Sequence, residues 1–121
     1  MPFSWSDFLK LADQLVNSDD AEVAEACVRA ATSKAYYAAF CECKLYAMDR
    51  YGLTPGNSFR DHDGVRKQFT KHGMSCVAAD LEMLRNWRNA CDYDEEVDGA
   101  VTMAPIAIQR ATTLLKVLKK S

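Results

Sequence analysis

DAEVAEACVRAATSKAYYAAFCECKLYAMDRY, the stretch from Asp20 to Tyr51, holds neither glycine nor proline and is dense in alanine. Alanine has the best intrinsic helix propensity, and small side chains let neighbouring helices approach closely. The stretch therefore predicts one long helix, the central post of a bundle. Val23, Cys27, Ala30, Tyr37, Cys41, Leu45 and Met48 recur at helical steps and are expected to form its core stripe. Ala26, Ser33, Tyr36 and Phe40 widen that stripe. Gly52 is the expected stop, and Pro55-Gly56-Asn57 the loop that follows.

The flanks repeat the helical period. Phe8, Leu11, Ala12, Leu15 and Val16 predict a first helix from about Ser6 to Val16. Asn17 to Asp20 break it, and Asp19 stands three residues before Glu22, the capping-box spacing. A short third helix is expected over Asp63 to Lys71, closed by Gly73. Ser75 is expected to cap a fourth, which continues to Tyr93. A fifth runs from beyond Gly99 to Lys119, with Ala104, Ile108, Ala111, Leu115 and Leu118 inward. Pro105 is expected in its first turn, where a missing amide costs nothing. Lys116, Lys119 and Lys120 complement the dipole at its C-terminal end. Phe3 and Trp5 are expected to pack over the bundle end. The fold class is all-α, an antiparallel bundle of four or five helices. Because 121 residues suit one core, residues 1–121 read as a single domain.

Composition removes several classes of function. At 49% hydrophobic residues the chain can bury a core, and five glycines with three prolines are too few for a many-turned β fold. No apolar run approaches the ~20 residues of a membrane span. The first residues have neither a basic start nor a long apolar stretch, so no secretory signal is expected. Five cysteines, an odd number without such a signal, point to a reducing cytoplasm. Cys41 and Cys43 stand two apart on a helix and point away from each other, which suits small apolar residues better than metal ligands. No phosphate loop, dinucleotide fingerprint, nucleophile elbow or zinc motif occurs, so neither metal nor cofactor is expected. A net charge of −2 argues against a whole-molecule grip on nucleic acid and leaves room for a local basic patch.

One position breaks the pattern. On the fourth helix Val77, Leu81, Leu84 and Cys91 share a narrow arc, and Arg88 falls in its middle. Arg85 and Asp92 flank it on one side, Trp87 on the other. A buried guanidinium must be paired or is costly, and Asp92 is the partner one turn away. Ser33 and Tyr37 on the long helix could add neutral oxygens. Such an Arg is either a structural ion pair that fixes helix register, an Arg that snorkels to the bundle end, or an anion site, for which its planar donors suit phosphate. With Arg60, Arg66, Lys67, Lys71 and Arg85, residues 60–88 hold six Lys/Arg against four Asp/Glu, while residues 1–30 hold two against six, so the chain is electrically lopsided.

These residues also carry a family resemblance. Ala31-Thr32-Ser33-Lys34-Ala35-Tyr36-Tyr37-Ala38-Ala39-Phe40 resembles the Ser-x-x-Tyr-Tyr-Ala-x-Phe stretch in the second helix of HEPN-domain proteins. His62-Asp63-Gly64-Val65 with Phe69 resembles the entry to their third helix. Leu84 to Asp94, with Arg88, Asp92 and Tyr93, resembles the Leu-x-x-x-Arg-x-x-x-Asp-Tyr variant of the family signature. The likeness spans residues 6–118 and implies a HEPN-like bundle, usually dimeric. It implies an RNA-directed protein of toxin–antitoxin, phage-defence or RNA-processing type, including metal-independent endoribonucleases. It equally admits a non-catalytic interaction module that dimerises or pairs with a nucleotidyltransferase or antitoxin partner. Carried over, Arg88 contacts phosphate, Asp92 orients it, Tyr93 donates a proton or stacks on a base, and Arg85 and Asn89 bind substrate. The histidine of the catalytic Arg-x4-6-His motif is missing, and Asp92 or Tyr93 stands in its place. Unperturbed Asp and Tyr titrate near 4 and 10, far from the neutral range that favours histidine as a proton carrier. His62 or His72 could substitute from the third helix, although surface exposure is the expectation for both.

Overall fold

The computed structural model describes residues 2–54, 56 and 61–120. The elements are α1 (Asp7–Val16), α2 (Ala24–Tyr51), α3 (Asp61–Lys71), α4 (Ser75–Tyr93) and α5 (Ala100–Lys120), with a single 3-10 turn, Ala21–Val23, leading into α2. No strand occurs among the described residues, as an all-α bundle requires. No helix is long and apolar enough to cross a membrane. Pro55, Asn57 and Arg60, expected in the loop and the basic cluster, lie outside the described residues.

The caps differ from the sequence reading. Asp20, not Asp19, accepts the Glu22 amide at 3.1 Å, while Ser18 Oγ accepts from Asp20 N. The cap therefore serves the 3-10 turn, and α2 starts one turn late. Ser75 is the first helical residue of α4, and no side chain caps that helix. Pro105 sits in the second turn of α5 rather than the first. Its missing N–H leaves the Val101 carbonyl without an amide partner, on a residue that is 72% exposed and so open to water. Gly52 ends α2 at φ 69°, the left-handed region glycine enters without strain, and Leu53 N–H returns to Ala47 O at 3.1 Å.

α2 is the post, in contact with all four other helices. Its direction relative to each follows from named contacts. Arg29 near its start meets the end of α4, and Tyr51 at its end meets Met74 just before α4, so the two are antiparallel. α4 and α5 are antiparallel through Asp80–Arg110 and Cys91–Met103. α2 and α5 therefore run the same way, and they are the most extensively packed pair, so the bundle is not antiparallel throughout as the sequence reading expects.

The face α2 buries is not the one its larger apolar residues mark. Ala31, Ala35, Ala38, Ala39, Cys43 and Ala47 have no exposed surface, and Val28, Thr32, Ser33 and Tyr36 are nearly as buried. The expected stripe holds in part: Ser33 and Tyr36 are buried and Tyr37 and Phe40 pack against the core, whereas Val23, Leu45 and Met48 are 43%, 47% and 39% exposed, and Ala26 is exposed too. The physical reason is close approach. Helices packed on several sides of a post need small side chains where they touch, so the bulkier residues are displaced outward. Most core seats expected elsewhere hold: Val77, Leu81, Leu84 and Cys91 of α4, and Ala104, Ala111 and Leu118 of α5, are buried, Ile108 and Leu115 are half-buried against the core, and Leu11 of α1 is 37% exposed.

Candidate functional site

Arg88 emerges from α4 between two tyrosines of α2, with 17% of its side chain exposed. Its Nη1 donates to Asn89 Oδ1 at 2.8 Å and its Nη2 to Tyr37 Oη at 3.0 Å. Nε lies 3.2 Å from Asp92 Oδ2, an ion-pair contact rather than an aligned hydrogen bond. Ser33 Oγ donates to the same Asp92 oxygen at 3.3 Å. Asp92 is thus shared by α2 and α4; Tyr37 gives Arg88 the neutral oxygen expected of it, whereas Ser33 donates to Asp92 and meets Arg88 only through that carboxylate. Three rings surround the guanidinium carbon: Tyr37 at 5.2 Å, Tyr36 at 5.5 Å and Tyr93 at 5.8 Å.

The five residues singled out from the sequence gather on this one face, which their 3- and 4-residue spacing on α4 requires. Arg85 is half-buried and makes no hydrogen bond or ion pair with a described residue; its charge is felt by Tyr36 and His62. Tyr93, at the last turn of α4, is 74% exposed. The wider basic cluster does not join them: Arg66 pairs with Asp63 and Glu82, and Lys67 and Lys71 stand exposed.

The two histidines part company. His72 is exposed, as expected, stacked on Tyr51 at 3.8 Å. His62 is not: it is 3% exposed, against the surface position expected of it. Its Nδ1 meets Tyr36 Oη at 3.1 Å, and its Nε2 lies 3.4 Å from Glu82 Oε2. Burial pushes the Tyr36 hydroxyl far above its ordinary value, so it stays protonated. The Glu82 carboxylate accepts, which assigns the imidazole hydrogen to Nε2 and leaves Nδ1 to accept from the Tyr36 hydroxyl. Burial also lowers the His62 pKa, against the pull of the Glu82 carboxylate. His62 with Asp63 and Glu82 offers three ligand atoms within 4.8 Å of one another. Arg66, 3.3 Å from Glu82 and 3.6 Å from Asp63, already supplies the positive charge a metal ion would bring.

Two cations escaped the sequence reading. Arg29 donates to the carbonyls of Cys91, Asp94 and Glu95, closing the C-terminal end of α4, while its Nε pairs with Glu25. Lys34 makes no ion pair with a described residue; its ammonium lies 4.9 Å from the Phe8 ring centroid and 6.0 Å from that of Tyr37. Glu25 and Tyr37 are local to α2, but the Cys91, Asp94 and Glu95 carbonyls that Arg29 closes and the Phe8 ring beside Lys34 come from other parts of the chain, which no local pattern marks. Comparison with family models, curated proteins and solved structures finds no match. The fold and site define an all-helical bundle with an arginine–tyrosine face between its second and fourth helices.

Proposed function

We propose that the chain is an RNA-directed protein of HEPN type that holds RNA phosphate at the Arg88 face without cutting the strand. One observation carries this reading. Arg88 occupies the acceptor atoms of Tyr37, Asn89 and Asp92. Three of the groups left there are donors, the Tyr37 hydroxyl hydrogen, the Asn89 amide and the Arg85 guanidinium, beside one acceptor, the second carboxylate oxygen of Asp92. Donors with two cations, Arg85 and Lys34, that have no carboxylate partner among the described residues attract an anion, and Arg85 offers the bidentate geometry that phosphate accepts. Cleavage through the 2′-hydroxyl needs a free group that exchanges a proton near neutrality. Asp92 is committed to Arg88 and Ser33, and both ring nitrogens of His62 have partners, which supports binding over chemistry.

The test is fluorescence anisotropy with a labelled oligoribonucleotide, alongside incubation with total RNA under chelation. The wild type binds and leaves RNA intact. Arg85→Ala weakens binding about tenfold and lowers the slope of log affinity on log salt by about 0.7, the loss of one phosphate contact to a single strand. Absence of binding at low salt overturns the proposal, and metal-independent cleavage lost in Arg88→Ala would make the protein a ribonuclease instead.

A second reading, the interaction module, is favoured by the outer side of α2. Leu45 is 47% exposed and lines a groove of ≈ 480 Å³ with Tyr46, Leu115 and Leu118. A homodimer, or a complex with a nucleotidyltransferase or antitoxin, would cover these side chains together with the polar rim of Ser4, Ser6, Glu42, Asp49 and Lys119. Sedimentation that shows a dimer in the wild type and a monomer in Leu45→Glu supports it.

A further inference from the structure

Rings and cations alternate across the surface from the N-terminal arm to the end of α4. Phe3, Trp5 and Phe8 form one cluster, with centroids 5.0 to 5.7 Å apart. Lys34 stands between Phe8 and Tyr37, and Arg88 between Tyr37 and Tyr93. We infer that this succession is a track for single-stranded RNA, with bases stacking on Phe3 and Tyr93 at its two ends and backbone phosphate meeting Lys34 between them. The inference rests on the RNA-directed reading above and adds the strand form and the rings that read it.

Three properties carry it. The terminal rings are the exposed ones: Phe3 is 53% and Tyr93 74% open to solvent. Rings that served only the core would be covered, and these offer open faces of the kind on which bases stack without sequence preference. The cation between them is uncompensated, since Lys34 has no carboxylate partner among the described residues. A nucleotide strand alternates planar base and anionic phosphate in the same way, whereas an acidic peptide would leave the ring faces unused. A duplex hides its base faces inside the stack, so only an unpaired strand can use the rings. The arm is also prearranged: Asp7 N–H donates to Ser4 O and Phe8 N–H to Trp5 O, both at 3.0 Å, which ties Phe3 and Trp5 to the start of α1 and lowers the ordering cost of binding.

The experiment compares a short fluorescein-labelled oligoadenylate with the same strand annealed to oligouridylate, using the full chain. The single strand binds about tenfold tighter than the duplex. Phe3→Ala and Tyr93→Ala each weaken single-strand binding about tenfold, the size of one lost base–aromatic stack, and leave the salt slope unchanged. Lys34→Ala lowers that slope by about 0.7. Phe3 and Tyr93 are exposed, so both variants keep the wild-type circular dichroism, and a small fall in melting temperature in Phe3→Ala reports its lost contacts with Trp5 and Phe8. Equal binding of duplex and single strand, or wild-type affinity in both ring variants, overturns the track and leaves the phosphate site standing. No binding of either probe by the wild type overturns both.

Discussion

Where α1, α2 and α5 meet, the buried residues are Ala12, Val28, Ala31, Ala100 and Ala104, all but one alanine. Where α2 meets α4, the contacts are Ser33 and Tyr37 against Asp92 and Arg88. The first seam is lined by small apolar side chains. The second has partial exposure and four side chains held by charge and hydrogen bonds. One seam is specified by size and the other by pairing, so the two respond to opposite kinds of substitution.

The largest effect belongs to the small-residue seam. Ala31→Leu adds three carbons where no surface is exposed, and overpacking of this kind costs about 3 kcal/mol. Urea denaturation measures it through a lowered midpoint, while RNA affinity per folded molecule stays unchanged. A variant as stable as the wild type would mean that the helices can separate there without cost.

At the paired seam the order reverses. Arg88→Ala costs about 2 kcal/mol of stability, because Asp92 loses its counter-charge and Tyr37 and Asn89 lose their donor. RNA affinity falls as well, since the arginine no longer takes up their acceptor atoms. The pairing itself is measured by a double-mutant cycle with Asp92→Ala. A coupling of about 1 kcal/mol is expected, and strict additivity would sink the pairwise account.

That contrast also separates what the sequence discloses from what it hides. The Arg88 face was legible because its members sit on one helix at three- and four-residue spacing, and a charge in an apolar arc stands out. Ser33 and Tyr37 could be named as partners because the long helix had to pass nearby. The buried side of α2 was misread because period analysis weights bulk, whereas a central helix is packed through its smallest residues. Leu45 and Met48 look like core by hydropathy and stand open to solvent. Arg29, Lys34 and the burial of His62 were invisible for another reason: each depends on groups supplied by a different helix. His62, Val65 and Phe69 are all buried, and the Tyr36–His62–Glu82 chain that accompanies the burial of His62 has no local signal in the sequence.

The smallest effect concerns that chain, a pairing seam set deep enough to behave like a core. Burial holds His62 neutral in the folded protein below the pH at which the unfolded chain takes up a proton, near 6.5. As pH falls through that value the unfolded state binds a proton that the folded state does not. Stability therefore declines from about pH 6.5 downward until the lower pKa of His62 itself is reached. Glu82 and Asp63 oppose the shift, while Arg85 adds to it. His62→Gln keeps a donor and an acceptor but cannot titrate, so its stability should fall less steeply than that of the wild type between pH 7 and 5 in parallel urea titrations. Identical slopes would mean that His62 reaches solvent in the folded state, and the seam would then be open where the structure closes it.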